Sequence, residues 1–186
     1  MTRRLILASS SPRRQELLSR MGLEFIVFSP DVDEALFGSP EEVVSQLAER
    51  KAQAAAERFK EDVVLAADTL VSINGESLGK PQDDQDAARM LRLLSGVWHQ
   101  VHTGVCVISD GRKLLDHVVT QVLFTRLNET EIADYVKSGE PFGKAGAYAI
   151  QGIASMYVEE IRGSYTNVVG LPTSKVRELL KKINLL

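Results

Sequence analysis

The unbroken apolar run Val63 to Ala67, stopping on Asp68 and Thr69, constrains the fold more than any other stretch, because such a run reads as a buried central strand. Around it the hydrophobic period alternates between strand-like and helix-like segments. Leu5 to Ala8 reads as a short buried strand. Ser11 as N-cap and Pro12 at the first helical position open a helix with Leu17, Leu18 and Met21 on its apolar face and Gly22 as terminator. Phe25 to Phe28 reads as a strand, and Ser39, Pro40 and Glu42 form a capping-box start for an alanine-rich helix to about Phe59. After the central run come Leu70 to Ile73 and an Asn74-Gly75 hairpin turn, then a capped helix from Asp83 to Leu94 closed by Ser95 and Gly96. Val101 to Ile108 and Val118 to Phe124 flank Asp110-Gly111 as strands able to project as a long hairpin. Asn128 with Glu131 caps a helix to Lys137, a strand is expected near Met156 to Ile161, and Leu171 to Ile183 closes the chain as a helix. No linker, repeat or compositional break interrupts the pattern, which favours one α/β domain over residues 1–186: a mixed twisted sheet with flanking helices.

Composition narrows the class of function. The chain carries 22 basic and 25 acidic residues for a net charge of −3, so it lacks the basic excess of a general binder of nucleic-acid polymers. No apolar run is long enough to span a membrane, and the opening residues reach Ser9, Ser10, Ser11 and Pro12 too soon for a secretory signal, so a cytoplasmic protein is expected. The single cysteine, Cys106, lies among Val105, Val107 and Ile108 and reads as a small buried hydrophobe.

The segment Leu7-Ala-Ser-Ser-Ser-Pro-Arg-Arg14 places three hydroxyls and two guanidiniums at a strand end and a helix start. Arginine is electrostatically misplaced in a first helical turn, where unpaired N–H groups and the macrodipole already favour an anion. An external phosphate reverses that penalty, and this reading is preferred over arginines that merely face solvent. Asp68, at the expected end of the central strand, stands where open α/β sheets place ligand-facing residues; the residues alone leave open whether it is a base, a metal ligand, a turn cap or the partner of a nearby lysine. Asp31, Asp33 and Glu34 form an acidic loop cluster suited to magnesium or manganese, or simply a solvated loop. Lys51 follows Val44, Leu47 and Ala48 at helical spacing, so it turns inward and needs an anionic partner, either a carboxylate or a phosphate. Lys80 and Lys144 sit on Gly/Pro-shaped loops. Lys144 to Gly152 combines small residues with Tyr148 and Gln151, whose polar groups could read the edge of a base. His99 and His102, three apart in a strand, point to opposite faces and argue against a shared metal.

Taken together, Leu7 to Arg14, Ala66-Ala-Asp-Thr69, Leu78-Gly-Lys-Pro81 and Gly139-Glu-Pro141 with Lys144 to Gly152 resemble the Maf family of nucleoside-triphosphate pyrophosphatases. The resemblance implies a fold like that of the inosine-triphosphate pyrophosphatases, two lobes around a nucleotide cleft, and frequently a homodimer. It implies Asp68 as catalytic residue, Glu34 as its companion on a divalent metal ion, and Ser9, Arg13, Arg14, Lys51 and Lys80 as phosphate-binding residues. Arg13, Thr69 and Gln151 would set specificity. The form Ala-Gly-Ala-Tyr-Ala-Ile-Gln-Gly at 145–152 is similar to that of members acting on dTTP and UTP. The implied reaction gives a nucleoside monophosphate and pyrophosphate. Alternatives are a house-cleaning pyrophosphatase for modified nucleotides and a nucleotide-sensing regulator of cell division.

Overall fold

A computed structural model describes residues 3–186; Met1 and Thr2, part of the expected 1–186 domain and of the opening read as too short for a signal, lie outside the described residues. The elements in chain order are β1 (Leu5–Leu7), α1 (Pro12–Arg20), β2 (Phe25–Val27), α2 (Pro40–Arg58), β3 (Val63–Ile73), β4 (Glu76–Leu78), α3 (Asp84–Leu94), β5 (Trp98–Ser109), β6 (Arg112–Phe124), α4 (Glu129–Lys137), β7 (Val158–Arg162), α5 (Tyr165–Val169) and α6 (Thr173–Lys182). Short 3-10 turns cover Ala145–Ala147 and Ile153–Tyr157. Among the described residues the strands form a seven-stranded mixed sheet in the order β2-β1-β3-β5-β6-β7, with β4 also paired to β3. β1 is parallel to β2 and β3, whereas β4 is antiparallel to β3 and β7 to β6. The mixed α/β expectation is met.

Local chemistry explains most boundaries. At the start of α2 the Ser39 hydroxyl accepts from the Glu42 amide while Glu42 Oε2 accepts from the Ser39 amide at 2.8 Å, and Asn128 with Glu131 repeats the device at α4. Asn74 and Gly75 both adopt positive φ, 49° and 81°, as a tight β3–β4 hairpin requires. Three expectations need correction. β3 does not end at Asp68 but runs through it to Ile73: β1 pairs only with Val63–Leu65 and β4 only with Val71–Ile73, so Asp68 occupies the stretch between those two pairings. A polar pair inside a strand looks like its end when the partners are invisible. β5 and β6 are longer than expected and are neighbours in the sheet. The helix α5 carries no periodic apolar stripe and was not expected.

The chain divides into two compact units, one made of the stretch up to Asp68 with Thr103–Val118 and Gly170–Leu186, the other of Thr69–His102 and Val119–Val169. In the first, Ala48, Ala52 and Ala55 of α2 pack on Ile6, Ala8, Val64, Ala66 and Cys106. Small side chains let the helix approach closely: a Cβ on Gly104 would stand 2.3 Å from the Val44 carbonyl oxygen. Burial pushes the Cys106 thiol up to about 12, which keeps it an inert apolar group. In the second, the core is aromatic. His99, Phe124 and Tyr148 meet edge to face with ring centroids 4.8–5.5 Å apart, and Tyr135 meets Tyr157 in the same way.

Candidate functional site

Lys51 explains the first unit's charged corner. It stands on the inward face of α2 with Ala48, Ala52 and Ala55, and its Nζ lies 2.6 Å from Asp68 Oδ1 and 2.7 Å from Glu34 Oε1. Both members of the Lys51–Asp68 pair are largely withdrawn from water, with side chains 13% and 14% exposed. Its partners among the described residues are thus carboxylates. Removing Lys51 would leave the Asp68 carboxylate desolvated without its ammonium, whereas removing Asp68 would leave Lys51 with Glu34 alone. The inward spacing was legible in the sequence; which carboxylates it met was not, because they lie on β3 and on the loop after β2.

The start of α1 is held by a different set of bonds. The Ser11 residue is the N-cap, as expected, but its side chain caps nothing. Buried Ser9 instead accepts from the Ser11 amide and from Arg14 Nη1, each at 3.2 Å. Arg14 Nε donates to the Gly170 carbonyl at 2.8 Å, an anchor that no sequence signal announces. Burial pulls the Arg14 guanidinium below its usual value, against the opposing influence of Asp68 and Glu34. Arg13 is also lowered, by burial alone. No acidic residue stands in the first turn to balance it. Half-withdrawn cations at a helix N-terminus are unfavourable by themselves, and an anion docked there would offset that cost.

Of the other acidic residues in the loop after β2, Asp33 turns its carboxylate onto the Ala35 amide at 2.9 Å, so Glu34 is the one presented to Lys51. Among the described residues no three His, Cys, Asp or Glu side chains gather into a metal-binding group. The donor chemistry nevertheless fits a hard divalent ion, because Asp68 and Glu34 each direct an oxygen at one cation, and such ions take one or two carboxylates and complete their shell with water and phosphate oxygens.

Thr69, Lys80 and Gln151 fall in the second unit, Thr69 half-buried and Lys80 and Gln151 exposed. Gly79, next to Lys80, accepts from the Gly146 amide at 3.0 Å, tying the lysine loop to the glycine-rich loop. Lys144 donates to the carbonyls of Glu140 and Phe142, so it shapes its own loop. Tyr148 corrects the expectation that its hydroxyl reads a base: it is buried and 2.9 Å from His99 Nε2. His102 faces Ser72 Oγ at 3.0 Å, so the two strand histidines do serve opposite faces.

A sequence profile of the Maf-like proteins matches residues 4–183. The chain belongs to that family. Among Maf relatives, it is 50% identical to a dTTP/UTP pyrophosphatase of Anaeromyxobacter dehalogenans, covering 98% of this chain and 95% of the relative. It is 48% identical to a protein of the same description from Pelotomaculum thermopropionicum, over 96% of this chain and 95% of that one. The fold is shared with a HAM1 protein from Coxiella burnetii, at a TM-score of 0.57 and 20% identity over 100% of both chains. Among the described residues no helix is long and apolar enough to cross a membrane.

Proposed function

We propose that the chain hydrolyses nucleoside triphosphates, dTTP and UTP foremost, to the nucleoside monophosphate and pyrophosphate. The observation that carries this reading is the convergence of Asp68 and Glu34 on one largely buried ammonium, in the unit whose first helix begins with two desolvated guanidiniums. The names of relatives 48–50% identical over nearly the whole chain supply the substrate class.

Water is a weak nucleophile and the triphosphate repels it. A divalent ion held by Asp68 and Glu34, magnesium or manganese, would neutralise phosphate charge when bound. Asp68 orients the attacking water and takes its proton as the new bond to the α-phosphorus forms and the bond to the bridging oxygen breaks. Lys51 spans the two carboxylates, and its long flexible side chain can reach the phosphates of a bound substrate. Arg13, Arg14, Ser9 and Lys80 stabilise charge growing on the departing pyrophosphate, the task that commonly supplies the largest catalytic contribution. Thr69 and Gln151 contribute to the choice of base. Buried Tyr148 is left out of that role. The reading includes a cytoplasmic location, where these triphosphates occur, and a homodimer, which sedimentation would check.

The test is an assay of the purified chain with magnesium over the natural and modified triphosphates, resolving pyrophosphate from orthophosphate. Pyrophosphate with dTMP or UMP is expected as the first product; orthophosphate appearing first would exclude the proposed cut. A stronger rate on a modified nucleotide would move the assignment to house-cleaning.

A further inference from the structure

Glu140 precedes the glycine-rich loop and belongs to none of the groups assigned above, yet its carboxylate organises that loop. Oε1 accepts from the Tyr135 hydroxyl at 2.8 Å and from the Ala154 amide at 3.2 Å, and Oε2 accepts from the Ile153 amide at 2.9 Å. The Tyr135 hydroxyl in turn accepts from the Ala149 amide at 3.3 Å. Burial, then the Glu140 carboxylate, push the Tyr135 phenol well up, so it remains a donor to Glu140 throughout the working pH range. Amides two residues before and two and three residues after Gln151 are thereby fastened to one carboxylate–tyrosine pair, while the Gln151 side chain stays exposed. The approach is so close that a Cβ on Gly152 would stand 2.1 Å from Glu140 Oε2. A side chain at 152 would push the carboxylate off its three hydrogen bonds.

We infer that Glu140, acting with Tyr135, is the positioning residue that fixes Gln151 for base selection. This rests on the reading of Gln151 as a base-selecting residue. A carboxamide offers one donor group and one acceptor, matching the uracil or thymine edge with its N–H beside a carbonyl. Turned over, the same carboxamide matches cytosine. Selectivity therefore depends on where the side chain starts as well as on which way it is turned, and a carboxylate gripping the flanking backbone fixes the first without touching substrate.

The experiment measures kcat/KM for UTP and CTP in the wild type, Glu140→Gln, Tyr135→Phe, Gln151→Ala and the double variant Glu140→Gln/Gln151→Ala, with thermal melting to confirm folding. Glu140→Gln is expected to lower kcat/KM for UTP about tenfold, mainly through KM, and to narrow the UTP:CTP ratio by a similar factor, the effect of about one charge-assisted hydrogen bond. Tyr135→Phe keeps the ring packing and is expected to narrow the ratio by less. In the Gln151→Ala background the Glu140 change is expected to leave the ratio where Gln151→Ala alone put it. A structural role alone would lower activity on both substrates equally in either background. The inference is overturned if Gln151→Ala narrows the ratio while both Glu140→Gln and Tyr135→Phe leave it unchanged, or if the Glu140 and Gln151 effects simply multiply. If Gln151→Ala itself leaves the ratio unchanged, the base-selection reading fails first and takes this inference with it.

Discussion

The two units keep polar groups away from water by opposite means. Around Lys51 charge is matched with charge, two carboxylates to one ammonium, with Arg14 anchored on Ser9 and a backbone carbonyl. Around His99 charge is removed altogether: burial pushes the imidazole down to about 4, and its partner is the neutral hydroxyl of Tyr148. The first arrangement can exchange its internal counter-charges for those of a polyanion and a metal. The second can exchange nothing, and it holds a shape.

That contrast breaks most visibly at Asp68. Asp68→Asn removes the proton acceptor and is expected to cut kcat for dTTP about a thousandfold with KM little changed. Parental turnover in steady-state assays would force another residue into the role. In the second unit the expected effect is on stability. His99 titrates at about 4 when folded against an ordinary 6.5, so the unfolded chain binds the proton first. The contribution is full above pH 6.5 and is lost as pH falls to about 4, amounting at most to about 3 kcal/mol. Thermal midpoints of the wild type should fall across that window, and those of His99→Gln should fall less; parallel slopes would show that His99 is not the group responsible.

A smaller effect sharpens the comparison, because Asp62 is an ion pair with no assigned function in the same unit as Lys51. Hydrogen bonds from Arg4 hold its carboxyl below the usual range, with Arg4 Nη2 at 2.6 Å. The lowered pKa means stability present at neutral pH and lost on acidification. Asp62→Asn should melt a few degrees below wild type at neutral pH, the gap closing as pH falls through the carboxylate range, with kcat untouched. A drop in kcat at constant stability would show the pair to belong to the site.

How much of this was legible in the sequence depended on whether the signal was local. Ser39 with Glu42, Asn128 with Glu131 and Asn74-Gly75 act within a few residues of themselves, and each does in the fold what its spacing announces. Lys51 was half legible: helical period turned it inward, but nothing in the sequence or the resemblance paired it with Asp68, 17 residues away, or with Glu34 on its loop. The end of β3 was misplaced because sheet pairing, not composition, carries it past Asp68. Tyr148 was misread because a hydroxyl near glycines looks available until His99 and Phe124 are seen to enclose it. Glu140 stood in a motif of the resemblance, Gly139-Glu-Pro141, but its partners were not legible, since the close approach that identifies its role exists only where Gly152 returns to it.

The central claim, that the desolvated guanidiniums at the start of α1 await a triphosphate, is tested most directly at Arg13. Titration calorimetry with a non-hydrolysable dUTP analogue and magnesium should give binding about thirtyfold weaker for Arg13→Ala than for wild type, as expected for a lost charge-assisted contact. Melting of the free variant should not fall, because a cation misplaced in a first helical turn has been removed. Unchanged affinity for the analogue would contradict the account.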